Sequence, residues 1–124
     1  MVLKNSLYKI VDKDTAVPAY RIALQTDHTI YQAHFPGEPV TPGVCIVQIA
    51  VELLGDLCGK TLALTAAKNV KFMSIISPIE TPEVTYVFDK ITPQDDHTVK
   101  AQVTVMSDDI PLTKLSLTCS EQGA

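Results

Sequence analysis

His34 is the residue best placed for proton chemistry in this sequence. It opens a run of turn-forming residues, H-F-P-G-E-P-V-T-P-G, that leads to Gly43. The prolines in this run stiffen the backbone, so the imidazole would be held in place as a general base should be. Histidine also titrates near neutral pH and can accept a proton there. From spacing alone, His34 is also compatible with a solvated loop residue.

The residues after this loop predict a helix whose first turn could hold an anion. Thr41 can cap the helix, and Pro42 takes the first helical position, where its missing N–H costs nothing. The N–H groups of Gly43, Val44 and Cys45 would then be unpaired. Such a terminus can hydrogen-bond a carbonyl oxygen as it becomes enolate-like, and Gly43 has no side chain to block its approach. A terminus satisfied by its own cap is the alternative.

The predicted helix covers residues 42–58, stops near Gly59 and is apolar nearly all round. Its polar side chains, Gln48, Glu52 and Asp56, follow the spacing i, i+4, i+8 and therefore share one seam. This seam must meet water, a polar partner or a ligand. A helix of this composition is buried. The side chains that we expect to be largely buried are Val44, Val47, Val51 and Leu54.

The rest of the chain predicts mostly sheet. Segments 7–11 and 19–24 precede a loop at residues 27–43, and further strands are predicted at residues 70–76, 84–88, 99–106 and 112–119. These strands are rich in β-branched and aromatic residues. The last two alternate apolar and polar side chains, which is typical of antiparallel strands with one wet face. One helix among about six strands predicts an α+β domain in which a curved antiparallel sheet wraps around the helix.

Length and composition restrict the class of protein. With 124 residues, 46% of them hydrophobic, the chain predicts one domain over residues 1–124. The net charge of -4, without a run of like charges, argues against nucleic-acid binding. No stretch approaches the roughly 18 apolar residues of a membrane span, and no leader pattern is visible, so we expect a cytoplasmic protein. Three distant cysteines predict buried thiols, and no pattern calls for a metal or a redox cofactor.

The run from His34 to Gly43 closely resembles the signature of the bacterial 3-hydroxyacyl-acyl-carrier-protein dehydratases, which have the hot-dog fold. The apolar helix and the later Val70-Lys71-Phe72 are also similar to that family, so the resemblance covers roughly residues 26–90. It implies a hot-dog domain and a lyase of fatty-acid or related acyl-chain synthesis. The implied reaction is the reversible loss of water from a 3-hydroxyacyl thioester to give the trans-2-enoyl product, without a cofactor.

The resemblance also implies roles for individual residues. The histidine matched by His34 removes the α-proton of the substrate. A helix carboxylate from the other subunit of a dimer assists the departing hydroxyl, and its position is taken here by Gln48. A carboxamide has no transferable proton in the accessible pH range. The residues implied to bind the substrate are Phe35, Pro42, Gly43 and Val44.

Glu52 lies one helical turn after Gln48, where the family often has a glutamine, so acid and amide are exchanged. Glu52 could supply the proton through Gln48 or a bridging water, since one turn displaces it by about 6 Å. It could also be an ordinary structural carboxylate. Alternatively, Gln48 marks a non-catalytic acyl-binding subunit that pairs with a complete homologue. A thioesterase on the same scaffold is a further alternative.

The implied substrate is a thioester of acyl carrier protein or of coenzyme A, and the implied assembly is a homodimer or a multiple of dimers. In such a dimer His34 faces position 48 of the other subunit. Family members commonly carry arginines after the Lys-Phe pair, where an acidic carrier protein docks. This chain continues from Phe72 with Met-Ser-Ile-Ile but keeps Lys68 and Lys71. The sequence is compatible with either carrier.

Overall fold

Six strands form one antiparallel sheet in the protein, which a computed structural model describes for residues 2–33 and 37–122. The order across the sheet is β1-β2-β4-β5-β6-β3, so β1 and β3 are its edges. In chain order the elements are β1 (Tyr8–Asp14), β2 (Ala19–Leu24), α1 (Thr29–Ala33), α2 (Gly43–Cys58), β3 (Leu62–Phe72), β4 (Glu83–Pro93), β5 (Thr98–Ser107) and β6 (Ile110–Glu121).

The long helix α2 lies against one face of this sheet and forms the centre of the core. Ile49, Leu53 and Leu54 are completely buried, and burying each such side chain stabilises the fold by about 1.5–3 kcal/mol. The hydroxyl of Tyr86 on β4 donates to the carbonyl of Ile46 over 2.9 Å, which ties the helix to the middle of the sheet. The predicted arrangement of an antiparallel sheet around one central helix is confirmed.

The start of α2 differs from the prediction in two respects. The N-cap is Pro42, whose ψ of 146° is extended, and not Thr41. The buried Thr41 hydroxyl is instead hydrogen-bonded to the Tyr31 hydroxyl, 2.9 Å away. Val44 was predicted to be buried but is 68% exposed, whereas Val51, two turns later on the same side, is 2% exposed. This side of α2 is therefore buried at Val51 but open to solvent in the first turn.

The end of α2 falls where the sequence predicts it. Gly59 adopts a left-handed conformation with φ of 68°, and its N–H donates to the carbonyl of Asp56. The N–H of Lys60 reaches back to the carbonyl of Gly55 over 2.9 Å. This pairing satisfies carbonyls that a helix end otherwise leaves open, and glycine adopts the required φ at little cost.

The segment predicted as a loop, residues 27–43, contains the short helix α1. The N–H of Ile30 donates to Nδ1 of His28 over 3.0 Å, so that imidazole caps the helix start. Tyr31 is buried and anchors α1 to the core. Because turn-forming residues dominate the segment, its sequence does not indicate this one helical turn, which the side chain of Tyr31 anchors.

The strand predicted at residues 70–76 is wrong in position, since β3 runs from Leu62 to Phe72. This strand lies at an edge of the sheet, and many of its side chains are exposed. Its sequence therefore does not show the apolar alternation that would reveal where the strand lies. Two register irregularities against β6 further break its alternation, and Asn69 at the second has a positive φ. Among the described residues, no helix has the length and hydropathy needed to span a membrane.

Candidate active site

Two open backbone donors mark the first turn of α2. The carbonyl of Pro42 accepts the N–H groups of Cys45 and Ile46 at 3.0 and 3.1 Å, so the N–H of Cys45 is not free, contrary to the prediction. Within the described part of the chain, the N–H groups of Gly43 and Val44 have no partner. These two donors lie at the positive end of the helix dipole and can stabilise a developing oxyanion.

The ring of Phe72, at the end of β3, covers this helix start. A Cβ placed on Gly43 would lie 2.8 Å from Cζ of Phe72, so the ring can lie this close only because residue 43 is glycine. Phe72 is itself 52% exposed and forms an apolar wall beside the free N–H groups. Phe72 was not among the residues predicted for the site. Its only signal was the Lys-Phe pair shared with the resembling family.

The loop before α2 is fixed to its surroundings by two hydrogen bonds of Thr41. Its N–H donates to the carbonyl of Ile76 over 2.8 Å, and its hydroxyl pairs with that of Tyr31. The predicted base His34 and the predicted substrate contact Phe35 lie outside the described residues. The two elements that flank these residues, α1 and the start of α2, are held together by the hydrogen bond between Tyr31 and Thr41.

Gln48 and Glu52 are in direct contact on α2. Nε2 of Gln48 donates to Oε2 of Glu52 over 3.0 Å. Gln48 is five residues beyond Gly43, which places it about 7.5 Å along the axis and about 140° around it. Within one chain, therefore, the carboxamide does not face the same side of the helix as Gly43. Val44, one turn before Gln48, does share its side.

Glu52 also holds the N-terminal segment, residues 2–4. Its carboxylate accepts the N–H of Leu3 at 2.8 Å, the N–H of Lys4 at 2.9 Å and the hydroxyl of Tyr8 at 3.1 Å. Burial, followed by the charge of Glu52, raises the pKa of Tyr8 far above its ordinary value, so the hydroxyl stays a donor. All of these contacts donate to Glu52, which is the pattern of an ionised carboxylate. Sequence reasoning missed these partners.

Asp56 completes the polar seam with partners from β1 and β2. Its Oδ2 accepts the hydroxyl of Tyr20 at 2.7 Å and the ammonium of Lys13 at 3.2 Å, and Lys4 lies 3.8 Å from Oδ1. The hydrogen bond from Tyr20, which is the largest contribution, and the neighbouring Lys13 hold the pKa of Asp56 below its ordinary value. The seam therefore meets polar partners of its own chain, one of the outcomes that its spacing predicted.

A groove of about 630 Å³ opens between α2, the N-terminal segment and the start of β3. Gln48, Glu52 and Gly55 form its helix wall, and residues 60–64 form its opposite wall. The groove brings the carboxamide of Gln48 to a surface that can receive a ligand or a second chain. It lies beside the free edge of the sheet.

The described residues do not contain a group of three His, Cys, Asp or Glu side chains that could hold a metal ion. The three cysteines are free thiols, of which Cys45 and Cys119 are buried and Cys58 is only partly so. Burial raises the pKa of Cys119 to about 11, which keeps this thiol protonated at neutral pH.

The family model and the sequence relatives that match this chain are both dehydratases. The family model described as ApeI dehydratase matches residues 11–110. A 3-hydroxyacyl-[acyl-carrier-protein] dehydratase FabZ of Latilactobacillus sakei is 31% identical over 72 residues, which are 52% of this chain and 51% of that protein. The chain thus spans about half the length of this curated relative.

Solved structures with the same fold share little sequence with the chain. An HP0420 homologue from Helicobacter felis superposes with a TM-score of 0.65 at 12% identity, covering 94% of this chain and 89% of that chain. A structure from Xenorhabdus doucetiae, titled the dehydratase heterocomplex ApeI:P, gives a TM-score of 0.58 at 16% identity and covers 83% and 86%. Both similarities establish the fold alone.

Proposed function

Since the chain belongs to the ApeI-like dehydratase family, we propose that it catalyses the reversible loss of water from 3-hydroxyacyl thioesters to give trans-2-enoyl thioesters. The observation that carries this proposal is the start of α2, where the N–H groups of Gly43 and Val44 are open beneath the ring of Phe72. Two such donors suit a thioester oxygen that gains negative charge when the α-proton leaves.

In the proposed mechanism His34 takes the α-proton and the electron pair moves into the thioester carbonyl. The resulting enolate oxygen is bound by the N–H groups of Gly43 and Val44, with Pro42 and Phe35 beside the acyl group. The enolate then re-forms the carbonyl, the double bond forms between C2 and C3, and the C3–O bond breaks. The imidazolium of His34 returns its proton to the departing hydroxide, which leaves as water.

Gln48 binds the departing hydroxyl in this proposal, and Glu52 acts through Gln48 as a positioning residue. Support comes from the contact between Nε2 of Gln48 and Oε2 of Glu52, which fixes the carboxamide from one side. The other donors to Glu52, from Leu3, Lys4 and Tyr8, keep its carboxylate in place. Because Glu52 accepts all of these bonds, it is better suited to hold Gln48 than to give up a proton.

We propose that the site is completed by a second copy of the chain. Gln48 lies about 7.5 Å along α2 from Gly43 and about 140° around it, so within one chain the carboxamide is not beside Gly43. Among the described residues no strand pairs with the outer side of the edge strand β3, and Leu64 on β3 is an exposed apolar side chain. Pairing of two β3 edges would satisfy the open backbone groups of this edge. Light scattering should give twice the chain mass of 13.5 kDa or a multiple of that value, and a monomer would contradict the two-subunit site.

A second candidate function is that of a non-catalytic acyl-binding subunit. Two observations favour it, namely the carboxamide at position 48 and the full set of hydrogen bonds on the nearest carboxylate, Glu52. Such a subunit would require a homologue with a complete site, and the similar Xenorhabdus structure is titled as a heterocomplex. This candidate predicts no turnover by the isolated chain.

The proposed reaction is tested by incubating the purified protein with 3-hydroxyacyl thioesters of several chain lengths, on acyl carrier protein and on coenzyme A. Mass spectrometry distinguishes the three outcomes: loss of water supports the dehydratase, loss of the acyl group identifies a thioesterase, and an unchanged substrate points to the binding subunit. His34→Ala serves as the matched control. Its turnover should fall by at least about 10²–10⁴-fold if the imidazole is the base.

A further inference from the structure

One side chain in the core carries a polar atom without a partner. The hydroxyl of Thr113 on β6 is completely buried, and within the described part of the chain no group forms a hydrogen bond with it. Thr41, the other buried polar residue among those described, is paired with Tyr31. A buried hydroxyl that has lost its bond to water without a replacement lowers the stability of the fold. Such a group in a native core calls for an explanation.

The strand register places Thr113 in a row of four side chains on the α2 face of the sheet. Thr113 is directly opposite Phe72 on β3 and Val105 on β5, and Val105 is directly opposite Tyr86 on β4. Side chains that are directly opposite in neighbouring strands lie on the same face. The row therefore runs across four strands, with Thr113 between two apolar side chains.

Both ends of this row contact the first turn of α2. The ring of Phe72 lies against Gly43, and the hydroxyl of Tyr86 donates to the carbonyl of Ile46. Thr113 is the neighbour of Phe72 in the row, one strand spacing of about 4.8 Å away. Its free hydroxyl therefore lies beneath the first turn of the helix, towards the end that has the open N–H groups.

A β-bulge fixes the backbone at Thr113. The register between β5 and β6 shifts immediately before Thr113, where Leu112 is an extra residue. The carbonyl of Leu112 accepts the N–H groups of Met73 and Ser74 at 2.8 and 3.2 Å, which holds the chain that follows Phe72. Bulges re-aim side chains and are frequent beside active sites. This bulge therefore keeps Thr113 and the end of β3 in a fixed relation.

An ordered water molecule is poorly suited to this hydroxyl, because a buried water is held by about two to four polar groups. The neighbours of Thr113 in the row are the apolar side chains of Phe72 and Val105. The hydroxyl of Tyr86, further along the row, is already bound to Ile46. A polar atom that is carried by a larger, mostly apolar ligand fits these surroundings better, since the rest of the ligand holds it in place.

We propose that Thr113 binds an oxygen atom on the acyl chain of the substrate, further from the thioester than the 3-hydroxyl group. This inference rests on the proposed function and deepens it, because it makes an oxo- or hydroxy-substituted acyl chain the preferred substrate. The hydroxyl of Thr113 can donate to an oxo group and can donate to or accept from a hydroxyl group.

The path of the acyl chain follows from the position of the thioester. With the thioester oxygen on the N–H groups of Gly43 and Val44, the acyl chain begins beside the ring of Phe72. This ring is half-exposed, and side chains of that kind change rotamer within nanoseconds. Its rotation gives access to Thr113 from the candidate active site. The path stays on the inner face of the sheet and does not cross the outer edge of β3.

Ligands that cannot lose water test the site without chemistry. Octanoyl, 5-oxooctanoyl and 7-oxooctanoyl thioesters, on coenzyme A and on acyl carrier protein, lack the 3-hydroxyl group. Calorimetry should show that the wild type binds at least one oxo ligand about tenfold more tightly than octanoyl, the order expected of one added hydrogen bond. Thr113→Val, which replaces the hydroxyl by a methyl group, should abolish this preference. Thr113→Ser keeps a hydroxyl and should retain it.

Stability provides a second measurement on the same variant. Removal of an unsatisfied buried hydroxyl should raise the Tm of Thr113→Val by about 2–8 °C, so that a lost preference is not due to unfolding. Thr118→Val makes the same change on the opposite face of β6, where the side chain is only partly buried, and is the matched control. Its preference for oxo ligands should equal that of the wild type.

Equal affinity of the wild type for octanoyl and both oxo ligands overturns the inference, as does a preference that Thr113→Val keeps or that Thr118→Val also loses. Absence of binding on both carriers overturns it too. A wild type that dehydrates 3-hydroxyoctanoyl thioesters but shows no preference for oxo ligands refutes the role of Thr113 alone. A preference that depends on Thr113, in a protein that dehydrates no 3-hydroxyacyl thioester, leaves the binding site intact and refutes the proposed function.

Discussion

Nε2 of Gln48 donates to Oε2 of Glu52 over 3.0 Å, and the same carboxylate accepts the backbone N–H groups of Leu3 and Lys4. An ionised carboxylate only accepts hydrogen bonds, so the NH₂ end of the carboxamide must face Glu52. Position 48, where the resembling family has its carboxylate, is thereby linked through Glu52 to the N-terminal segment. Substitution of Glu52 distinguishes an anchoring carboxylate from a proton donor.

Glu52→Gln should lower stability more than turnover. The substituted carboxamide would present its own NH₂ to some of the donors from Leu3, Lys4, Tyr8 and Gln48 and leave part of them unsatisfied. We expect the free energy of unfolding, measured with denaturant, to fall by about 1–3 kcal/mol. With Glu52 as a positioning residue, kcat should fall by less than about tenfold, and its pH profile should keep its shape.

A proton-donor role for Glu52 predicts a different result. Loss of a general acid costs about 10²–10⁴ in rate and removes the corresponding limb of the pH profile. That outcome would refute the positioning role. Tyr8→Phe, which removes one donor to Glu52 but leaves the carboxylate, is the matched control for loss of anchoring alone.

Gly43→Ala should impair catalysis through the ring of Phe72. The added methyl would lie 2.8 Å from Cζ of that ring, so the ring or the helix start must move. Since small misplacements of reacting groups are costly, kcat/KM should fall by about 10- to 100-fold. Adding Phe72→Ala gives the methyl room, and the double variant should match Phe72→Ala alone. A double variant as slow as Gly43→Ala would show that the ring is not the cause.

The charge of Asp56 should contribute stability that is lost in acid. Tyr20 and Lys13 hold its pKa below the ordinary value, so its contribution is fully present above the unfolded pKa of about 3.9. The contribution then disappears as the pH falls through the lower, folded-state pKa. Denaturant unfolding across this range should show the free-energy gap between wild type and Asp56→Asn closing in acid. The difference in unfolding free energy between Tyr20→Phe and Asp56→Asn should be smaller than that between wild type and Asp56→Asn. Curves of unfolding free energy against pH that run parallel for all three proteins would contradict the assignment.

The helix and most strands could be predicted because their patterns are long and periodic. The exposure of Val44 could not be predicted, since the apolar stripe continues through the first turn whether or not anything covers it. The edge strand β3 was misplaced for a related reason: its exposed residues, such as Thr65 and Lys68, carry no apolar alternation.

The partners of Glu52 were beyond the reach of sequence reasoning for another reason. Leu3 and Lys4 lie 49 and 48 positions away, and they bind the carboxylate through backbone N–H groups. Nearly every residue has such a group, so no residue type announces the contact. The spacing of Gln48, Glu52 and Asp56 did predict a polar seam, but only the structure identifies which partners meet it.

Gln48→Glu restores the carboxylate of the resembling family and separates an enzyme from a binding subunit. The new acid would stand one turn from Glu52, and repulsion between the two should raise the pKa of at least one of them. Their like charges and the lost bond from Nε2 should destabilise the helix seam, more at neutral pH than in mild acid, where one carboxyl is protonated. If the site geometry is that of a dehydratase, turnover should rise, because a carboxyl with a raised pKa can protonate the departing hydroxyl. Steady-state kinetics over pH would show the gain as an acid limb absent from the wild type.

Gln48→Leu, which removes the polar group without adding an acid, should not gain activity. A wild type that is inert on every thioester beside an active Gln48→Glu would make the acyl-binding subunit the better account, whereas an inert Gln48→Glu beside an active wild type would show that the carboxamide itself is adapted to the reaction.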